Sequence, residues 1–323
     1  MMSDGGMLQR QIYDSLAPLR SLFDDPKVTD IAIKGFNGVF VRRQGCGFEP
    51  FEVAWTSDDE ILMACRQLAR FMGRPLDTEN PMLDCRLPDK SRVNIVVNPV
   101  YRGTVFLSIR RFPEHSFSLS DLVAGGCLND DSASLLRNLV TQGKNILISG
   151  GTASGKTTLL NALAKCIPDD DVIVTVEDSM EINLGDKPLW IALETKARTY
   201  EGGNEVGLKE LVKNSLRMSP KWIIVGEVRG GEVFDMIRAF NTGHSGMTTI
   251  HANDAVSALY AIEMIYQQYV KVENLQVLRR SIMNTINCVV QTSYDKKEGR
   301  RVREILLVCC EGEEYSGEYT LKE

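Results

Sequence analysis

The sequence predicts an α/β protein. It reads as a phosphate-loop (P-loop) domain on a mostly parallel sheet, preceded by a smaller α+β domain. Three observations predict this. The chain has 323 residues, enough for roughly two domains. From Asn145 onward, short apolar runs alternate with helix-like segments, the pattern of a parallel sheet covered by helices on both faces. Between one such run and the next helix lies Gly150-Gly151-Thr152-Ala153-Ser154-Gly155-Lys156-Thr157, which fits G-x-x-x-x-G-K-[ST] in the strand–loop–helix context that a phosphate-binding loop needs.

The first domain is expected over residues 1–112. Leu8, Ile12, Leu16, Leu19 and Leu22 recur at helical spacing, so residues 8–22 read as a helix. Residues 28–33 and 38–42 read as strands around a Gly35-Phe36-Asn37-Gly38 turn. Ser57-Asp58-Asp59-Glu60 has the form of a capping box, with Ser57 as cap and Glu60 as its partner, opening a helix that runs to about residue 72. Residues 82–87, 92–97 and 104–110 read as further strands. Residues 113–117 form the expected linker, since Phe112-Pro113-Glu114-His115-Ser116 breaks the periodicity.

The second domain is expected over residues 118–323. Helices are predicted from Ser118 and over 131–141, then a strand at 145–149 and a helix from 158 to 167. Strands follow at 172–176, 190–194, 222–225 and 246–250, with helices at 209–217 and 231–241 between them. Helices at 257–270 and 277–283 and strands at 288–293 and 303–310 complete the chain. Ligands of such sheets sit at the carboxyl ends of strands, where the glycine loop also lies.

The loop's residues explain its chemistry. Glycines allow backbone N–H groups to turn inward around phosphate oxygens, and the helix that follows adds the positive end of its dipole. Gly151, Thr152, Ala153, Ser154, Gly155, Lys156, Thr157 and Thr158 are therefore the candidate nucleotide contacts. Lys156 has the reach for β- and γ-phosphates, and the Thr157 hydroxyl can ligate Mg²⁺. An acid at the end of a second strand would hold the metal or orient water, and Trp222-Ile223-Ile224-Val225-Gly226-Glu227 supplies Glu227. Its structural alternative is a carboxylate favoured at a helix N-terminus. Glu177-Asp178, with Glu181, follows the 172–176 strand and is either a solvated turn or a second water-ordering site; Glu177 and Glu227 join Thr157 as metal candidates. Two of the three histidines, His244 and His251, share one Gly/Thr-rich stretch, as a γ-phosphate sensor or subunit contact would require. No third His or Cys lies nearby to make a zinc-type site.

Composition narrows the classes. Hydrophobic residues make up 43% and charged residues 25%, ordinary for a soluble globular protein. A net charge of −6 argues against a polyanion-binding surface. Eight cysteines without C-x-x-C or disulfide-framework spacing, several within apolar runs, read as buried free thiols of a reducing cytosol. No apolar run has the length of a membrane span and residues 1–10 lack a signal-peptide core, so a cytoplasmic protein with at most peripheral membrane contact is expected.

In order and spacing, several stretches resemble the secretion (traffic) ATPases of the type II/type IV secretion superfamily, closest to the Flp/Tad pilus assembly and conjugal-transfer ATPases. They are Val28-Thr29-Asp30-Ile31, Ser91-Arg92-Val93-Asn94, Ser108-Ile109-Arg110-Arg111-Phe112, the P-loop, Val176-Glu177-Asp178, Leu216-Arg217-Met218, Gly226-Glu227-Val228-Arg229-Gly230 and the histidine stretch. The resemblance implies a homo-hexameric ring of subunits, each with an N-terminal domain and a RecA-like P-loop motor domain. Such a ring hydrolyses ATP with Mg²⁺ to power pilus assembly or type IV secretion and conjugal transfer. It would sit at the inner face of the cytoplasmic membrane beside platform proteins, without direct nucleic-acid binding. Glu177 matches the family's acidic box, Glu227 its Walker B acid, and His244 and His251 its histidine box. Arg92, Arg110 and Arg111 match basic residues that sense the γ-phosphate, and Arg217 matches another candidate arginine; guanidinium groups suit developing phosphate charge. For Arg110 and Arg111 a solvated strand end is the alternative.

The chain also departs from that family. Ala153 stands where many relatives carry glycine, a mild change if the position keeps φ below zero. The histidine stretch is one residue shorter. A nucleic-acid translocase on the same core is the alternative function, opposed by the net charge and by the absence of a basic run interleaved with aromatics. Lys296-Lys297-Glu298-Gly299-Arg300-Arg301 reads as a hairpin turn.

Overall fold

A computed structural model describes residues 4–43, 45–112, 116–196, 204–309 and 314–322, with side chains from Arg10 onward. The chain divides into two compact units, Met1–Glu114 and His115–Glu323. Of the linker expected at 113–117, residues 113–115 lie outside the described ones.

In the first unit α1 (Asp4–Ser15), a 3₁₀ turn (Ala17–Leu19) and α2 (Arg20–Phe23) replace the single helix predicted over 8–22. Pro18 sits in that turn; without an N–H and with a fixed φ it interrupts the helical ladder. Leu16, Leu19 and Leu22 stay buried regardless. Strands β1 (Val28–Ile33), β2 (Val39–Arg43) and β3 (Phe48–Pro50) precede α3 (Asp58–Phe71), and β4 (Met82–Arg86), β5 (Arg92–Val97) and β6 (Val105–Arg110) follow. They form one antiparallel sheet in the order β3-β2-β1-β6-β5-β4. Ser57 caps α3 by accepting the Glu60 N–H at 3.3 Å. Glu60 does not reciprocate as a capping box would; its carboxylate accepts from Thr56 N–H and Oγ1, both at 2.9 Å. The unpredicted β3 is exposed at all three residues, so it has no hydrophobic alternation to read.

The second unit begins with α4 (Leu119–Ala124) and α5 (Asp130–Thr141). Then come β7 (Ile146–Gly150), α6 (Lys156–Ala164), β8 (Ile173–Glu177), β9 (Trp190–Glu194), α7 (Leu208–Ser215), β10 (Trp222–Val225), α8 (Glu232–Asn241) and β11 (Ser245–Ile250). Helices α9 (Ala255–Tyr269) and α10 (Leu275–Thr285) lead to β12 (Cys288–Asp295), β13 (Gly299–Cys309) and β14 (Ser316–Lys322). The sheet order is β14-β13-β12-β7-β11-β10-β8-β9. From β12 to β9 all neighbours are parallel, while β13 and β14 add antiparallel edges, so the sheet is mixed. β14 is an additional strand that the sequence pattern does not mark, since its residues alternate only between exposed and half-buried.

The strands are apolar on both faces, as a sheet covered by helices on either side must be. Ile146, Ile148, Ile173, Trp222 and Ile224 pack with Leu119, Leu136 and Leu160 from α4, α5 and α6. Their alternates Leu147, Val174, Val176, Ile223 and Val225 pack with Val212, Met236, Leu259 and Ile282 from α7 to α10. Two cysteines fit the expected buried thiols: burial pushes Cys65 and Cys288 up to about 12. Cys46 and Cys309 do not, being exposed.

Candidate functional site

Parallel strands end together, and that register assembles the site. The P-loop leaves β7 at Gly150, Glu177 closes β8, Glu227 stands two residues beyond β10, and His251 follows β11 directly. The glycine loop is tightly built. Gly150 has φ +152°, and a Cβ there would collide with the Thr292 backbone oxygen. Gly155 caps α6 in the left-handed conformation at φ +100°. Ala153 adopts φ +61°, so the condition under which its replacement of glycine would be mild is not met. A left-handed alanine costs about 1–2 kcal/mol.

Lys156 is buried at the head of α6. Its Nζ donates to Gly150 O at 3.0 Å and Gly151 O at 2.9 Å and lies 3.4 Å from His251 Nδ1. Burial lowers its pKa, with Glu227 and Glu181 acting in opposition and Arg229 reinforcing. His251 Nε2 in turn lies 3.0 Å from Glu227 Oε1. That approach is close enough for an ion pair but not aligned as a hydrogen bond. Arg229 pairs with the other Glu227 oxygen. Lys156, His251, Glu227 and Arg229 thus form one connected chain of charged and titratable groups.

Glu177 is only 3% exposed. Burial raises its carboxyl to about 7, although Oε1 accepts the Glu181 and Ile182 N–H groups at 2.9 and 3.0 Å. Its Oε2 and Glu227 Oε1 are buried without a hydrogen bond. Thr157 Oγ1 donates to Glu181 at 3.3 Å, so the threonine of the metal candidates meets Glu181. Two buried carboxylate oxygens that accept no hydrogen bond, one of them beside His251, and a threonine hydroxyl at one sheet edge are hard oxygen donors suited to Mg²⁺ and water. Among the described residues no cluster of three or more His, Cys, Asp or Glu is arranged to hold a metal alone. The donor set therefore fits a cation that arrives with phosphate oxygens of its own.

The other candidates lie elsewhere. His244 precedes β11, whereas His251 follows it, a separation of about 20 Å along the strand. His244 Nδ1 lies 3.0 Å from Ala239 O and 3.3 Å from Thr242 Oγ1. With Arg217, Lys213, Asp235 and Arg238 it lines an open groove of about 540 Å³ at the amino edge of the sheet. In the first unit, Arg110 pairs with Asp30 at 3.2 Å and Arg92 lies 3.6 Å from Asp84. The Arg111 side chain is largely covered, donating to the Leu22 and Phe23 carbonyls at 3.0 and 2.8 Å beside Asp89. Arg111 thus has anchoring that a solvated strand end would lack, whereas Arg110 is exposed at the end of β6 and holds a surface ion pair.

Sequence reasoning missed three groups. Arg229 follows Glu227 closely enough that its charge was a readable signal. Thr292 bonds Ser154 Oγ at 2.8 Å and Ser149 O at 3.0 Å. Arg300 Nε donates to Ala153 O at 2.9 Å. These last two come from more than 130 residues away, and no local pattern marks them. Thr292, with Gly151, Ser154, Asn253 and Tyr294, lines a smaller groove of about 290 Å³ beside the loop.

The chain is 32% identical over 305 residues to the conjugal transfer protein TrbB of Rhizobium radiobacter, covering 93% of this chain and 90% of the relative. It is 30% identical over 293 residues to the type IV secretion system protein VirB11 of Bartonella quintana, covering 80% and 81%. Its fold is that of the pilus retraction motor PilT, solved with bound ADP, at TM-score 0.64 and 21% identity over 93% of this chain and 82% of that one. Residues 13–323 match the family described as type II/IV secretion system protein, and the chain belongs to that family.

Proposed function

We propose that this chain is a Mg²⁺-dependent ATPase that powers type IV secretion or conjugal transfer. The observation that carries the reading is the connected line Lys156–His251–Glu227 at the mouth of the P-loop. Residues 151–158 would cradle the phosphates through backbone N–H groups, and Lys156 would exchange the Gly150 and Gly151 carbonyls for phosphate oxygens. Mg²⁺, held by Thr157 and the Glu177–Glu181 side of the site, would supply charge neutralisation at the phosphate oxygens. Glu227 would orient the attacking water and accept its proton, with Arg229 and His251 fixing the carboxylate. Glu177, raised to about 7, is poised to gain or lose a proton near neutrality.

The unit His115–Glu323 would be the RecA-like motor, and Met1–Glu114 the N-terminal domain offering Arg92 and Arg110. As the resemblance to the secretion ATPases implies, six copies would form a ring beside the cytoplasmic membrane. Among the described residues no helix is long and apolar enough to cross a membrane, which is compatible with a peripheral seat.

The test is steady-state ATP turnover against protein concentration, with mass followed by light scattering. Turnover per chain should rise as a species of roughly 216 kDa forms, six copies of the 36.1 kDa chain. Glu227→Gln should retain nucleotide binding and lose turnover by about 100-fold or more. Full turnover by Glu227→Gln would remove Glu227 from the chemistry, and a concentration-independent rate from a monomer would remove the ring.

A further inference from the structure

We propose that Arg300 is a positioning residue that holds the P-loop in its phosphate-accepting conformation, offsetting the alanine at position 153. The inference rests on the nucleotide-binding reading above and extends it to a residue of the β12–β13 hairpin. Two independent observations meet here. Ala153 has φ +61°, a conformation that L-residues other than glycine adopt at a cost, so the loop is under pressure to relax. Arg300 Nε donates to the carbonyl of that same residue at 2.9 Å. The arginine stem lies over Gly155 as well: a Cβ built there would stand 3.2 Å from Arg300 Cδ. One side chain thereby covers the loop from its strained residue to its helix cap.

The arginine is itself held. Its guanidinium stacks on Tyr294, 5.5 Å from the ring centroid. The hairpin turn is closed by Asp295, whose Oδ1 accepts the Lys297 and Glu298 N–H groups at 2.7 and 3.1 Å. Arg303 ties Glu298 to Ser293 across the hairpin. On the same side, Thr292 joins Ser154 and Ser149 O. A loop with glycine at 153 has no left-handed penalty and less need of such a brace. The requirement for Arg300 should therefore depend on what occupies position 153.

The experiment is a double-mutant cycle on the full chain. It reads affinity for a fluorescent non-hydrolysable ATP analogue with Mg²⁺ in the parent, Arg300→Ala, Ala153→Gly and the double variant. Arg300→Ala should weaken binding about fivefold in the alanine background and less than about 1.5-fold in the glycine background. Arg300→Lys, which keeps the charge but not the Nε donor, should behave like Arg300→Ala. An equal loss in both backgrounds, or no loss in either, overturns the brace, as does full affinity in Arg300→Lys. Absence of binding by the parent chain is a different failure, since it removes the nucleotide reading on which the brace rests. Far-ultraviolet circular dichroism and melting temperature establish that each variant folds before its affinity is read.

Discussion

The two edges of the second unit's sheet carry similar residue types in opposite arrangements. At the carboxyl edge, Lys156, His251, Glu227 and Arg229 touch in sequence, and Glu177 is buried among further carboxylates, Glu181 and Glu194. Toward the amino edge, Lys213, Arg217, Arg238 and His244 line one groove with a single buried acid, Asp235. The same inventory of bases and carboxylates thus yields two electrostatic environments. One keeps carboxylate oxygens without hydrogen bonds beside a lysine-bearing loop, and the other sets one acid in a groove lined by cations. Proximity in sequence does not decide which residues share a site; the strand between them does. His244 and His251 are seven residues apart, yet they stand at opposite edges because β11 runs between them.

The largest expected contrast follows from that separation. Lys156→Ala should lower turnover by about 100-fold or more, since it removes the loop's buried cation. His251→Ala should lower it about tenfold by freeing Glu227. Arg217→Ala and His244→Ala should leave nucleotide affinity within about threefold, and any loss of turnover should track assembly of the chain, which a plot of rate against concentration separates. A nucleotide-binding defect in His244→Ala as deep as that of Lys156→Ala would break the comparison.

Much of this was legible beforehand, for a physical reason. A buried parallel strand is a short apolar run, and the turn that follows carries polar residues at the strand's carboxyl end, so Gly150–Lys156, Glu177 and Glu227 are visible from local pattern alone. Strands β3 and β14 were not visible because neither has a buried face. The break at Pro18 is masked by periodicity: five leucine and isoleucine positions fit one helix even though a proline stands among them. Arg300 and Thr292 could not be read, because their roles exist only once β12 pairs with β7 and its hairpin reaches the loop. The left-handed backbone of Ala153 belongs to the same class, a conformation imposed by the loop rather than by the residue.

A second contrast is one of pH. Burial raises Glu177 to about 7 in the folded chain, against an ordinary value of 4.5. The folded state therefore holds this proton more tightly than the unfolded state. The resulting stability is fully present below about 4.5 and is lost as pH rises through about 7. Glu177→Gln removes that loss. Its stability relative to the parent should improve between pH 5 and pH 8 by about 1–3 kcal/mol, read from urea unfolding at each pH. A constant difference across that range would mean that the carboxylate is solvated or paired in the folded chain.

The smallest effect is the sharpest test of the comparison, because it makes the matching chemical change at the other edge. Asp235 is 4% exposed, and its Oδ2 lacks a hydrogen bond but lies 3.8 Å from Lys213 Nζ. It also stands in the first turn of α8, where the helix dipole favours a negative charge. Arg217 and Arg238 line the same groove. Asp235→Asn keeps the shape and removes the charge. It should destabilise the chain by about 0.5–1 kcal/mol at pH 8, a modest figure because Lys213 is half exposed and solvent screens the pair. Glu177→Gln, also carboxylate to amide at a buried site, should move stability the other way at that pH. If both substitutions stabilise, the cations of the amino edge do not hold Asp235. If both destabilise, the crowding of carboxylates around Glu177 is relieved by something other than its own proton. Opposite signs are what the two environments require.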